Sequence, residues 1–246
     1  MQESVKRLEE MSFLTLPAME EERFDGWVLR WAEHGPRRTN SVNPVAASSL
    51  PIHEKIAFCE NWFNQRGAPP IFRLTPLADP SLEQALEGRG YVPASRTDVM
   101  TAAIGDFDPA DSVAVSPMAS EAWLRAVEGK ATVGEEVVAR LADQLTAGAG
   151  DRRYASIGRS DAPAAIGMSI DFDGYTTIYN MHTQPGERRQ GYAKAILATL
   201  LSMGRSAGNA SAFLQVTQAN GGAQRLYRSA GFSPVYSYSY RQRLSG

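Results

Sequence analysis

Cysteine is almost absent from this chain: Cys59 is the single one in 246 residues. One thiol excludes an internal disulfide framework and fits a reducing compartment. It lies inside an apolar helical pattern, which points to a buried, inert side chain instead of a nucleophile. Net charge is scarce too. The formal charge of -2 offers no electrostatic case for binding nucleic acid or a membrane surface. No apolar run approaches membrane-spanning length. The opening Met1-Gln2-Glu3-Ser4 lacks a basic region followed by an apolar one, so no signal peptide is expected. His34 and His53 have no Cys, His or Asp partners at ligand spacing, so no metal site is expected. With 43% hydrophobic and 21% charged residues, the expectation is a globular cytoplasmic protein with one large domain or two small ones.

What is present begins with alternating helical and extended patterns. Residues 5–11 read as a helix, with an apolar stretch at 13–16; residues 26–31 and 39–42 read as strands. Ile52, Ile56, Cys59 and Phe63 predict a helix over 52–65, stopped by Gly67 and the Pro69-Pro70 pair. A strand at 71–74, a helix at 82–88 and a strand at 98–104 follow, and 105–112 reads as a linker. In the second half a strand at 113–115 and a helix at 119–128 come first. Thr132 and Glu135 have capping-box spacing ahead of the apolar stripe Val137, Val138, Leu141 and Leu145. Ile166, Met168, Ile170 and Phe172 alternate with Gly167, Ser169 and Asp171, which predicts a strand with one buried face. Asp173-Gly174 predicts a two-residue turn into an antiparallel strand over 175–182. A helix to about 206, a strand at 212–217, a helix at 221–229 and a strand at 236–240 complete the pattern.

The two halves repeat. At a constant offset of 141 positions Pro44 meets Pro185, Gly67 meets Gly208, Gly90 meets Gly231 and Tyr91 meets Phe232. The helix at 52–65 falls on the one at 193–206. Agreement in element order over about fifty residues points to duplication of one α/β unit. The copies differ chemically: Arg188–Ala193 meets Ala47–Ile52, which holds neither glycine nor arginine, and Tyr227 meets Leu86. A catalytic centre is therefore expected in the second half.

The most informative stretch is Thr183-Gln184-Pro185-Gly186-Glu187-Arg188-Arg189-Gln190-Gly191-Tyr192-Ala193. It joins a predicted strand to an amphipathic helix with Ala193, Ile196, Leu197, Leu200 and Leu201 on one face. Free N–H groups and the positive end of the helix dipole would make a socket for phosphate, and Gly191 would let an anion approach the main chain. By itself the loop reads equally well as an ordinary connection with two solvated arginines. It matches neither the P-loop nor the Rossmann fingerprint.

A second run, Asn220-Gly221-Gly222-Ala223-Gln224-Arg225-Leu226-Tyr227-Arg228-Ser229-Ala230-Gly231-Phe232, changes the weighing. Together with Arg188-x-x-Gly191-x-Ala193 it closely resembles the two signature motifs of the GNAT superfamily of acyl-CoA-dependent N-acetyltransferases, over roughly residues 151–240. The whole chain resembles tandem members in which a degenerate N-terminal copy precedes an active one. The resemblance implies an α/β (α+β) fold of two GNAT-like copies, residues 1–108 and 109–246. Each would be a mixed, mainly antiparallel sheet flanked by helices, with a splayed strand pair binding acyl-CoA in the C-terminal copy. It implies acetyl-CoA as co-substrate. Residues Asn180–Thr183 would splay from the next strand, Met181 and Thr183 bonding the pantetheine amides through their backbone, with His182 between them. Arg188, Arg189, Gln190, Gly191, Tyr192 and Ala193 would hold the pyrophosphate. Asn220 would face the pantetheine side, and Tyr227 would stand near the thioester sulfur.

The chemistry is consistent. A neutral amine attacking a thioester creates an oxyanion, which backbone N–H groups stabilise, and expels a thiolate, which a tyrosine hydroxyl can protonate or hydrogen-bond. Holding both reactants together supplies much of the acceleration, so no covalent enzyme intermediate is needed. No general base is assigned. His182 alternates with Met181 and Thr183 and reads as a packed, satisfied side chain; Glu135 reads as a cap acid, and Asp171 as a hairpin residue. Glu136 is a further candidate. Trp27, Trp31 and Trp62 read as core or as packing between the copies. Arg37-Arg38 could bind an acidic acceptor but reads more simply as an exposed turn, and the Tyr236/Tyr238/Tyr240 face lines an acceptor pocket or covers the sheet. The expected partner is an amine acceptor, and a homodimer stays open. Two rivals are a catalytically silent acyl-CoA-binding regulatory module and an interaction protein.

Overall fold

The computed structural model describes residues 2–33, 35–127 and 134–244. His34 and the expected cap residue Thr132 lie outside them. The chain forms two compact units. One comprises residues 1–98, 217–219 and 235–246; the other comprises residues 99–216 and 220–234.

The first unit opens with helix α1 (Gln2–Thr15), which buries Val5, Leu8 and Met11 and takes in all of the apolar stretch at 13–16 except Leu16. Strands β1 (Glu20–Phe24) and β2 (Trp27–Trp31) form a hairpin. Its turn, Asp25-Gly26, has φ of 42° and 79°, the left-handed pair that suits the twist of a two-residue hairpin. Strand β3 (Ser41–Pro44), helix α2 (Ile52–Asn64), strand β4 (Phe72–Leu74), helix α3 (Pro80–Glu87) and strand β5 (Val92–Ala103) follow. Trp27, Leu29, Ile56, Trp62, Phe63, Phe72 and Tyr91 make the core, with Trp31 packed against it. Cys59 is buried there, and burial pushes its thiol well above the usual range, as an inert thiol requires.

The second unit contains β6 (Ala114–Ser116), α4 (Glu121–Val127), α5 (Glu135–Thr146), β7 (Asp151–Gly158), β8 (Pro163–Phe172), β9 (Tyr175–Thr183), α6 (Tyr192–Ser206), β10 (Ser211–Thr217) and α7 (Gly221–Ser229). The last strand, β11 (Ser233–Gln242), starts here and continues into the first unit, where it pairs antiparallel with β4. Strand order is β1-β2-β3-β4-β11-β5 in the first unit and β5-β10-β9-β8-β7-β6 in the second. The β3–β4 and β9–β10 pairs are parallel; the other registered pairs are antiparallel. Ile196, Leu197, Leu200 and Leu201 of α6 pack with Ala155, Ile157 and Ala165, so the apolar stripe read from the sequence does face the sheet.

Several expectations change. The units divide at Asp98/Val99 instead of 108/109, and residues 235–246 go with the first unit. Strand β8 is buried along both faces, Ser169 as fully as Met168, because it lies between β7 and β9 with helices packed on it. Helix α5 is capped by Gly134 with no side-chain bond, so Glu135 is simply its first residue. The aromatic face of β11 covers the first unit's sheet: Tyr236, Tyr238 and Tyr240 are all buried. The Tyr236 hydroxyl donates to Glu9 (2.5 Å), and the Arg73 guanidinium lies 3.7 Å from the centre of the Tyr238 ring. Arg37 is exposed in a 3₁₀ turn (Arg37–Thr39), as expected, and donates to Ser95 (3.2 Å). Among the described residues no helix is long and apolar enough to cross a membrane.

The duplication carries through to backbone detail. α2 and α6, β4 and β10, α3 and α7, and β5 and β11 fall at the same offset. Gly67 and Gly208 both take positive φ, as do Gly90 and Gly231. Asp79 and Asn220 each cap the helix that follows, through a side-chain oxygen.

Candidate active site

The site begins where two parallel strands part. β9 and β10 are in register from Tyr175↔Ser211 to Ile178↔Leu214. Both strands run on, to Thr183 and Thr217, without further pairing to one another. On its other edge β9 bulges: Met168 faces Tyr179 and Ile166 faces His182, so Gly167 opposes two residues, Asn180 and Met181. Asn180 adopts φ of 50°, a left-handed conformation that asparagine tolerates better than most residues. The bulge bends β9 at the point where the ladder to β10 stops. Met181 and Thr183, the residues expected to meet an amide-bearing ligand through their backbone, occupy this divergent end. Asn180 is the first residue of the segment expected to splay, and the left-handed turn it supplies is what the sequence did not show.

A 3₁₀ turn (Pro185–Glu187) then leads to α6. Gly191 caps that helix with φ of 83°, and a Cβ placed there would meet nothing within 4 Å. Glycine is thus required by the backbone conformation, while the space above it stays open. The N–H groups of Gln190 and Gly191 donate to no acceptor among the described residues. Arg188 and Arg189 are exposed and have no acidic partner among the described residues; Arg188 Nε makes one long contact to the Thr183 carbonyl (3.5 Å). Arg189 itself takes φ of 69°. Tyr192 and Ala193 form the first helical turn. The arrangement is an exposed cationic loop with unsatisfied donors at a helix start, which favours an anion.

Helix α7 supplies the remaining groups. Asn220 Oδ1 accepts from the Ala223 N–H (3.1 Å), so its oxygen is committed to capping and its –NH2 remains to face a ligand. Tyr227 is 6% exposed and stands edge-on to Phe232, with ring centroids 6.0 Å apart. It shares an apolar cluster with Ile178, Leu197 and Val216, against which Met181 and Tyr192 also pack. Its hydroxyl bonds to no described residue, and burial pushes its pKa up to about 12. The equivalent Leu86 is buried in the first unit.

The candidates for a base separate clearly. Asp171 is paired with Arg153 and accepts from the Thr176 hydroxyl (2.9 Å), a structural role. Glu135 and Glu136 begin α5. His182 is half-buried, as expected, and its buried Nε2 has no hydrogen-bond partner among the described residues. Among the described residues no group of three His, Cys, Asp or Glu is placed to hold a metal.

Residues 3–241 match the model of a family described as probable histone acetyltransferase Rv0428c, C-terminal. A stretch of 59 residues is 37% identical to the [ribosomal protein bS18]-alanine N-acetyltransferase of Haemophilus ducreyi, covering 24% of this chain and 41% of that protein. The uncharacterized N-acetyltransferase YobR of Bacillus subtilis is 20% identical over 248 residues, covering 97% of this chain and 98% of its own length. Among solved structures, a GCN5-related N-acetyltransferase from Kribbella flavida superposes with a TM-score of 0.71 at 18% identity, covering 98% of this chain and 96% of that one. A tandem GNAT protein from the clavulanic acid biosynthesis pathway gives 0.62 at 12% identity, covering 97% and 88%.

Proposed function

The chain belongs to the GNAT acetyltransferases, in the family whose model spans residues 3–241, and on that premise we propose that its second unit moves an acetyl group from acetyl-CoA to a primary amine. The observation that carries this reading is the pair of undonated N–H groups at Gln190 and Gly191, set ahead of α6 beneath open space. These donors, with Arg188 and Arg189 beside them, suit a pyrophosphate. The divergent end of β9 suits an extended, amide-bearing arm, to be bonded by the backbone of Met181 and Thr183.

In the proposed reaction both substrates are bound together. The amine nitrogen, deprotonated through solvent, attacks the thioester carbonyl carbon, and main-chain N–H groups of β9 receive the oxyanion. The adduct's nitrogen gives up its second proton to solvent, the oxyanion collapses to the amide carbonyl, and the carbon–sulfur bond breaks to release the thiolate; Tyr227 regains from solvent any proton it transfers. Tyr227 meets that sulfur as general acid, donating its O–H to the developing charge. A phenol held at about 12 keeps its proton at neutral pH, so it serves as a donor and never as the base. The base stays unassigned.

Calorimetric titration with acetyl-CoA tests the cofactor half of the proposal. Wild type should bind saturably and Gly191→Glu should not, because the new side chain places a carboxylate where the phosphate would lie. The family description and the Haemophilus relative's name refer to protein acceptors, so an acceptor screen should include peptide N-termini and lysine side chains beside small amines. Absence of binding in wild type would sink the assignment. Saturable binding with no CoA release across the screen would favour a ligand-responsive regulatory module.

A further inference from the structure

In the first unit, the loop equivalent to the phosphate-type loop already holds an anion, and it belongs to the chain itself. Asp25, at the tip of the β1–β2 hairpin, accepts from the Ser49 N–H (3.0 Å to each carboxylate oxygen), the Ser49 hydroxyl (2.7 Å) and the Leu50 N–H (2.9 Å). Ser49 and Leu50 stand at the repeat offset from Gln190 and Gly191, whose N–H groups are bare. A cation completes the set: Lys55 Nζ lies 3.3 Å from the Asp25 carboxylate and 4.0 Å from the centre of the Trp27 ring, with its side chain 1% exposed. The hairpin tip is fastened to the loop independently. Gly26 O accepts from the N–H groups of Val45 and Ala46 (3.0 Å each), and a Cβ at Gly26 would lie 2.4 Å from Ala47 O.

We infer that Asp25 is a built-in substitute for a phosphate, closing the anion socket of the first copy and leaving the chain with a single acyl-CoA site. The absence of glycine and arginine from residues 47–52 is thus only part of the difference between the copies. The amide donors persist, Lys55 adds a positive charge, and what has changed is the occupant. A carboxylate carried on a two-residue turn is always present at high effective concentration, so a free anion of ordinary affinity cannot displace it. Lys55 in turn needs that partner, since an unpaired buried ammonium is strongly disfavoured. The donors of Leu50 and Ser49 hold the Asp25 carboxyl well below the usual carboxylate range, consistent with a permanently charged occupant. An adjoining cavity of about 370 Å³, lined by Trp27, Ala47, Ser48, Leu50, Lys55 and Asp79 among others, remains beside the closed socket.

The inference rests on the equivalence of the two loops and is independent of the transfer reaction. The test follows the backbone amide resonances of nitrogen-15-labelled full-length protein during titration with inorganic phosphate. Wild type, Asp25→Gly and Asp25→Asn are compared; glycine and asparagine both suit the left-handed turn position, so the hairpin keeps its geometry. In Asp25→Gly the Ser49 and Leu50 resonances should shift saturably, with a midpoint at least about tenfold below any seen in wild type, since a charged competitor with several hydrogen bonds has gone. Asp25→Asn, which removes only the charge, should fall between them, and Lys55→Met added to Asp25→Gly should abolish the response. Unmoved Ser49 and Leu50 in both Asp25 variants would overturn the inference, as would equal movement in wild type. The Gln190 and Gly191 resonances report the other loop separately, so failure at one loop is not confused with failure at the other.

Discussion

Tyr227 shows how one residue carries two explanations that a measurement can separate. Its ring is core, packed on Phe232, while its hydroxyl has no described partner. Phenylalanine therefore preserves the packing and deletes only the donor. In the proposed reaction Tyr227→Phe should lower kcat by about 10²–10⁴-fold, the range for loss of a positioned acid, with the acetyl-CoA dissociation constant and urea midpoint nearly unchanged. Because burial raises the phenol to about 12, it stays protonated wherever pH is below that value. Any limb of the pH–kcat profile at lower pH belongs to another group and should persist, with reduced amplitude, in Tyr227→Phe. Loss of such a limb in the variant would contradict the donor role.

At the scale of elements, two features invite test. Asn220 caps α7 through Oδ1, and the equivalent cap Asp79 does the same for α3. Aspartate is therefore an adequate cap at this place. If Asn220 only caps, Asn220→Asp leaves stability and acetyl-CoA binding alike; if its –NH2 also meets the pantetheine arm, stability holds while affinity in the same calorimetric titration falls. We expect the second outcome. The other feature is the tie between α1 and β4 through Glu9 and Arg73, a buried ion pair with a bond of 2.9 Å from Arg73 Nη2 to Glu9 Oε1. Arg73→Met strands a buried carboxylate and should cost about 3–5 kcal/mol in urea unfolding, with much of it regained in Glu9→Leu/Arg73→Met. Equal losses in both variants would show that packing, not charge, decides the site.

For the whole molecule, the two copies predict a stoichiometry. One open socket and one closed by Asp25 should give one acetyl-CoA per chain by calorimetry, although both copies keep the same loop and helix order. Two sites of similar affinity in wild type would contradict the closed first copy. The duplication itself is secure at this scale because special backbone positions coincide: paired positive-φ glycines, paired helix caps and matched elements arise from the same local chemistry in both halves.

Local chemistry is what the sequence determined by itself. Periodicity located α2, α6 and α7, the Asp173-Gly174 turn, the apolar stripe on the sheet and the loop motifs, because each depends on residues close in the chain. Strand β1 escaped notice because Glu20, Glu21 and Glu22 give no alternation on an exposed edge, and β8 looked half-buried because alternation cannot report a second covered face. The tertiary structure alone decided that β11 pairs with β4, since strand pairing is a distant backbone match that no side-chain pattern encodes. It also showed the bulge at Asn180 that accompanies the parting of β9 from β10, a backbone irregularity that no residue pattern had signalled. The same holds for Asp25: its turn went unread along with β1, and its distance in sequence from Ser49 concealed that its charge fills the socket.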